Sequence, residues 1–144
     1  MNKNFIKITL LFSLLYSAAF FSQASERETL LHQYASQNLK QTSGQNTQQF
    51  SEARGQMLWQ QALEGDAPFI QRSCTSCHGE DLKNEGKHIR TNKAIKALAP
   101  SVNSSSLTDA KKIEKWFKRN CKWTLGRECS PQEKGDILTY IQNQ

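Results

Sequence analysis

The stretch Cys74-Thr75-Ser76-Cys77-His78 decides how the rest of the sequence is interpreted. Two thiols separated by two residues can reach both vinyl groups of one porphyrin, and the adjacent histidine then lies beneath the iron. The motif occurs once, so we expect one covalent haem c on Cys74 and Cys77, with His78 as the proximal iron ligand. A small chain of modest hydrophobicity then gains much of its core from the cofactor.

Three other uses of these cysteines need to be weighed. A thioredoxin-like dithiol occurs in a βαβ context, which the sequence does not suggest. A zinc module needs two more ligands, for which Cys121 and Cys129 are available. A disulfide between cysteines only two residues apart is strained. Haem attachment is therefore favoured, and the zinc module is kept as the non-redox alternative.

The N-terminus has the layout of a secretory signal. Lys3 and Lys7 form a basic head, Ile8–Phe21 is uncharged, and Ser22-Gln23-Ala24 supplies small residues for cleavage. An uncleaved anchor is the alternative, but the apolar run is shorter than the roughly 20 residues of a spanning helix. We expect residues 1–24 to be removed after Ala24, giving a periplasmic protein that does not span the membrane.

The charge of the processed chain bears on its partners. Loss of the two leader lysines takes the net charge from +6 to +4. A positive surface outside the cytoplasm favours an acidic protein partner or an anionic surface, and does not indicate nucleic acid.

The remaining sequence predicts a mostly helical protein. We expect an N-terminal helix and polar linker over residues 25–49 and one domain over residues 50–144. The first helix is predicted over Glu26–Leu39. The next runs from Phe50 to about Leu63, with Phe50, Ala53, Met57 and Leu58 at helical spacing.

Two further helices follow the motif after an irregular stretch. Thr108 is predicted to cap a helix from Asp109 to about Asn120. A last helix begins at Ser130-Pro131-Gln132-Glu133, where serine caps, proline occupies the first turn and glutamate completes a capping box. Its apolar face comprises Ile137, Leu138, Tyr140 and Ile141.

The residues alone leave several candidates for the distal iron ligand. Methionine is not among them, because Met1 lies in the leader, Met57 precedes the motif and none follows it; His32 and His88 could reach the iron. Asn120 shares a predicted helix face with Ile113, Trp116 and Phe117, and a buried amide needs a partner. An iron ligand and a helix C-cap explain Asn120 equally well.

Two other features surround Asn120. Cys121 and Cys129 are predicted to form a disulfide in an oxidising compartment, with free thiols or a metal site as alternatives. The same predicted helix is rich in cations, which form either a docking surface for an acidic redox partner or simply a solvated face. These cations are Lys111, Lys112, Lys115, Lys118, Arg119 and Lys122.

From about Phe50 to Gln144 the chain resembles the sphaeroides haem protein (SHP) family of high-spin class I-like cytochromes c. Four segments carry the resemblance. They are the haem motif with Gly79, His88-Ile89-Arg90-Thr91, Ala99-Pro100-Ser101-Val102-Asn103, and Trp116 to Cys121 with Gly126 to Asp136.

The resemblance implies an all-α fold of the small class I-like cytochrome c type, here with an extra N-terminal helix. It further implies that Asn120 is a distal ligand that leaves on reduction, that oxygen or nitric oxide then binds, and that Cys121 pairs with Cys129. The implied partners are a di-haem cytochrome c and a membrane cytochrome b. The sequence departs from the family at Asn92, where glycine is expected, and at Leu98, where methionine is expected.

The leading hypothesis is therefore an electron-transfer haem protein that binds a diatomic gas. An ordinary low-spin electron carrier and a haem enzyme acting on oxygen or nitric oxide are the alternatives. No general acid or base can be named, so an electron-transfer role is favoured over a catalytic one.

Overall fold

A computed structural model describes residues 26–43 and 49–144 of the chain, so the predicted signal peptide lies outside the described residues. Helix α1 covers residues 26–41. The elements that follow, in chain order, are α2 Glu52–Gln60, β1 Leu63–Glu64, β2 Gln71–Arg72, α3 Thr75–His78, β3 Gly86–Lys87, β4 Ala94–Ile95, α4 Ala110–Leu125 and α5 Pro131–Gln142.

Helix α2 crosses α5 with backbone in direct contact. A Cβ atom on Gly55 would lie 2.1 Å from the backbone oxygen of Asp136, so only glycine fits there. The Asp136 side chain is 2% exposed and accepts hydrogen bonds from the backbone N–H of Ser51, the guanidinium of Arg54 and the amide of Gln132. Backbone contact and a satisfied buried carboxylate therefore fix this crossing together.

Helix α2 is shorter than predicted and buries only part of the predicted face. Ser51 caps it by accepting from the Arg54 N–H, and it ends at Gln60. The crossing buries Gly55 and Trp59, whereas Met57 is 71% exposed. The predicted face was therefore right in part: Phe50 and Leu58 pack against the core, whereas Ala53 and Met57 are exposed. Gly55 was missed because apolar periodicity does not count glycine.

The bounds of α4 also differ from the prediction. Asp109, not Thr108, is the N-cap: its carboxylate accepts from the Lys112 N–H at 2.9 Å, while the Thr108 hydroxyl donates to the Ser105 carbonyl. The helix ends at Leu125 and Gly126 caps it in the left-handed region. The capping box of α5, in contrast, is confirmed in full at Ser130 and Glu133.

The buried side chains form two adjoining clusters. One surrounds Trp59 and contains residues of α2, α4 and α5; the other joins Leu30 and Tyr34 of α1 to Ile113 and Leu138. Phe117 packs against both clusters. The N-terminal helix is thus docked onto α4 and α5.

Two short antiparallel pairs complete the fold. Leu63 pairs with Arg72 and Glu64 with Gln71, while Gly86 pairs with Ile95 and Lys87 with Ala94. Strands of two residues are too short to produce the alternation that would have predicted them. Over the described ranges, no helix is both long and apolar enough to span a membrane.

Candidate haem site

Hydroxyl groups hold the Cys74–His78 segment in one helical turn. The Ser73 hydroxyl accepts from the Ser76 N–H at 3.3 Å, and the Ser76 hydroxyl accepts from the Ser73 N–H at 3.0 Å. The His78 N–H donates to the Cys74 carbonyl at 3.1 Å, which completes the turn. Both cysteines and the histidine are thereby presented on one turn of helix.

Sequence reasoning did not identify Ser73 or Ser76. Their reciprocal bonds resemble a helix capping box, although serine occupies both positions. A serine just before the motif and another within it were the available signal.

The two thiols of the motif are free. Cys74 and Cys77 are half-buried and unbonded. Burial raises the pKa of the Cys74 thiol to about 11, with a smaller opposing effect from the nearby Thr124 hydroxyl. Cys74 also packs against the core cluster that contains Cys121, so α4 lies against the motif.

His78 is held as a neutral imidazole. Burial lowers its pKa to about 4, so at neutral pH one of its two ring nitrogens keeps a lone pair for a metal. The Trp59 ring lies 5.5 Å from the His78 ring, and the Trp59 indole donates to the Gly79 carbonyl at 3.1 Å. A Cβ on Gly86 would lie 2.3 Å from the Cys77 carbonyl oxygen, so the β3 backbone closes directly on the motif.

Asn120 lies within α4 and does not cap it. It lies five positions before the helix end at Leu125, so the C-cap interpretation was wrong. Its carbonyl accepts from the Thr124 hydroxyl at 2.9 Å. Its half-buried side-chain amide has no hydrogen-bonding partner among residues 26–43 and 49–144. The amide is therefore available to an incoming group, one turn from the residue that contacts Cys74.

The apolar surroundings of Asn120 were predicted only in part. Ile113 is buried and Phe117 is half-buried between the two clusters, whereas Trp116 is 47% exposed. The Arg119 guanidinium lies 5.2 Å from the Trp116 ring centre. Trp116 therefore projects farther from the protein core than the helical pattern predicted.

The other candidate ligands are placed less favourably. His32 is exposed on α1. His88 lies in the β3–β4 turn, where its Nδ1 accepts from the Arg90 and Thr91 N–H groups at 3.3 and 3.2 Å. Asn92 in the same turn has φ +56°, a conformation that glycine adopts freely and asparagine tolerates, which explains the departure from the family pattern. Leu98 packs against the Trp59 cluster.

Cys121 and Cys129 are joined as a disulfide, with an S–S distance of 1.98 Å. The bond links α4, one residue beyond Asn120, to the segment that leads into α5. The two sulfur atoms are therefore not available to complete a zinc site with Cys74 and Cys77, and the described residues contain no cluster of metal-ligating side chains.

All six α4 cations predicted from the sequence are exposed. Within the described part of the chain, only Lys122 of this set forms an ion pair, with Glu128 at 3.2 Å. The α4 surface thus carries a concentration of uncompensated positive charge beside Asn120.

The donor set fits a covalent haem. Two unpaired thiols and a neutral imidazole share one turn, and α4 brings an unpartnered amide to the same region through Thr124. Cys74 and Cys77 would hold the porphyrin, while His78 and Asn120 would be the side chains directed at the metal.

The chain is similar to known proteins in both sequence and fold. A family model described as a domain of unknown function (DUF1924) matches residues 45–141. Cytochrome c-type protein SHP of Cereibacter sphaeroides is 42% identical over 91 residues, covering 63% of this chain and 69% of that protein. Cytochrome c'' of Methylophilus methylotrophus is 31% identical over 134 residues, covering 93% and 91%. The structure of oxidized SHP, an oxygen-binding cytochrome c, matches with a TM-score of 0.67 at 34% identity, over 82% of this chain and 96% of that one.

Proposed function

Because the chain belongs to the DUF1924 family and is a c-type cytochrome of the SHP family, with its class I-like fold, we propose that it carries one covalent, high-spin haem and transfers electrons. Cys74 and Cys77 attach the haem, His78 is the proximal ligand and Asn120 is the weak distal ligand. The observation that carries the proposal is the unpartnered amide of Asn120, in the middle of the helix that contacts Cys74.

When bound, the haem supplies a one-electron couple and an iron position that accepts a diatomic gas. The chain supplies two side chains that differ in their strength as iron ligands. His78 is half-buried and its lowered pKa keeps the imidazole neutral, so it would be an iron ligand in both redox states. The amide of Asn120 would be a weak iron ligand that shields the ferric metal and gives way to oxygen or nitric oxide after reduction, while Phe117 would limit the access of water.

The proposal extends to location and partners. Residues 1–24 direct export to the periplasm, where the redox partners are a di-haem cytochrome c and a membrane cytochrome b. The α4 cations support this, because a concentrated positive surface steers an acidic redox protein toward the helix that carries Asn120. Binding that weakens as salt increases is the expected signature.

The test is the ferric holoprotein of Asn120→Ala. Removing the amide should leave haem attached and tighten imidazole binding at pH 7 by about tenfold or more, since a lost polar partner changes binding by roughly 1–3 kcal/mol. Asn84→Ala is the matched control, because its amide bonds only to the exposed Asp81 carboxylate.

A visible spectrum gives the second readout. The wild-type ferric protein should be high-spin, and the reduced protein should change on addition of carbon monoxide. A low-spin spectrum that is indifferent to carbon monoxide and is lost in His88→Ala would establish the ordinary carrier. An Asn120→Ala variant identical to the wild type would exclude the amide ligand.

A further inference from the structure

Helix α1 holds the first half of α4 through a fully buried tyrosine. The Tyr34 hydroxyl donates to Oε1 of Glu114, and burial followed by the effect of Glu114 raises the Tyr34 pKa far above its ordinary value. The hydroxyl is therefore a permanent donor. The other carboxylate oxygen of Glu114 accepts from Lys134 at 2.8 Å, and that ammonium lies 5.3 Å from the Tyr34 ring centre.

The Tyr34 ring also contacts the next turn of α4. It meets the Phe117 ring edge to face at 6.3 Å between centres. Phe117 precedes Asn120 by three residues, so the two side chains lie on neighbouring positions of one helix face. A second contact from α1 holds the helix start, because the Glu26 carboxylate accepts from the Ala110 N–H at 2.9 Å.

The two ends of α4 are thus restrained by different elements. Glu26 and Tyr34 of α1 restrain Ala110 to Phe117, while the disulfide restrains Cys121. Asn120 lies between these restraints. A helix held at both ends keeps its rotation about its own axis, and that rotation sets where the Asn120 amide points.

We propose that Tyr34 is a positioning residue for the distal side of the haem: through Glu114 and Phe117 it fixes the rotation of α4 that presents Asn120. This inference rests on the proposed role of Asn120 as the distal ligand. Loss of the Tyr34–Glu114 bond weakens the hold of α1 on α4 and lets α4 turn, so the amide competes less well with an external ligand.

The experiment uses ferric holoprotein and imidazole as the probe. Tyr34→Phe retains the ring and removes only the hydroxyl, and should tighten imidazole binding about two- to tenfold, the range that one hydrogen bond supports. Backbone amides of α4 should also exchange hydrogen faster in this variant. Asn38→Ala is the matched control, because it removes a bond from α1 to Gln132 of α5 at 2.6 Å and leaves α4 untouched.

A double-mutant cycle tests whether Tyr34 acts on α4 through Glu114. Glu114→Ala should reproduce the effect of Tyr34→Phe, and the two changes together should add nothing further. Additive effects, an unchanged imidazole affinity in Tyr34→Phe, or an equal change in Asn38→Ala would overturn the inference. Asn120→Ala in the same assay separates the two proposals. If it shifts the affinity and Tyr34→Phe does not, only the positioning role fails; if neither shifts it, the ligand assignment itself fails.

Discussion

The α2–α5 crossing and helix α4 are both built from helices, but they differ in how closely those helices are packed. At the crossing, backbone meets backbone at Gly55, and a buried carboxylate has every hydrogen bond it needs. Helix α4 buries only Ile113, Cys121 and Thr124, and exposes a row of cations. The contacts at the crossing allow α2 and α5 only one relative placement. Helix α4 is instead held by contacts from α1 at Ala110 and Phe117 and by the disulfide at Cys121.

The largest expected effect concerns the crossing. Asp136→Ala removes the buried acceptor for Ser51 and Arg54 and leaves their half-buried N–H groups unpaired, so the free energy of unfolding should fall by about 3 kcal/mol or more. Chemical denaturation of the holoprotein measures it.

The matched control for Asp136→Ala belongs to the α4 region. Glu128→Ala breaks an ion pair with Lys122 whose two side chains are more than half exposed, and should cost less than about 1 kcal/mol. Equal losses in the two variants would contradict the contrast between the regions.

An intermediate effect is expected at the disulfide. Replacing Cys121 and Cys129 together by alanine removes a cross-link between residues eight apart, which should lower the free energy of unfolding by about 2–3 kcal/mol. Hydrogen exchange should accelerate most near the end of α4. The corresponding serine pair, which places hydroxyls at two buried positions, should be less stable still. Unchanged exchange in α4 would show that the bond does not restrain this helix.

The smallest effect is the acid sensitivity of the α5 cap. Hydrogen bonds from Arg127, and then from the Ser130 N–H, lower the pKa of Glu133 despite partial burial. A carboxyl whose folded pKa is depressed stabilises the protein above its unfolded pKa, and this contribution is lost as the pH falls through the folded value.

We therefore expect Glu133→Gln to be less stable than the wild type by about 1 kcal/mol at pH 7. The gap should close in acid, below the unfolded glutamate pKa of about 4.3. Denaturation at both pH values measures this, with Glu128→Gln as the exposed control. A gap that persists in acid would assign the loss to packing instead of charge.

How far the sequence predicted these features depends on the range of the interaction. The capping box at Ser130 and Glu133 was predictable because its partners lie within one turn. The haem motif was equally local. The extent of α4 was not predictable, since the helix continues through Asn120 and Cys121, where the residues fit a helix end equally well.

The contacts of α1 were missed for a different reason. Tyr34 and Glu114 are 80 residues apart, and neither side chain has a pattern that identifies its partner. The part of the α2 face at Gly55 was missed because Gly55 acts through the absence of a side chain. Long-range polar pairs and close backbone approaches are therefore the features of this fold that needed a structure.

The close approach at Gly55 has an evolutionary consequence. Because there is no room for a Cβ atom, only glycine can occupy that position. Each substitution nearby must also preserve the spacing between α2 and α5. The exposed row on α4 carries no such restriction, so its charges can be exchanged one at a time while the core stays intact. Descendants of this chain can specialise toward new electron donors by altering a solvent-facing surface, without having to reinvent the scaffold beneath it.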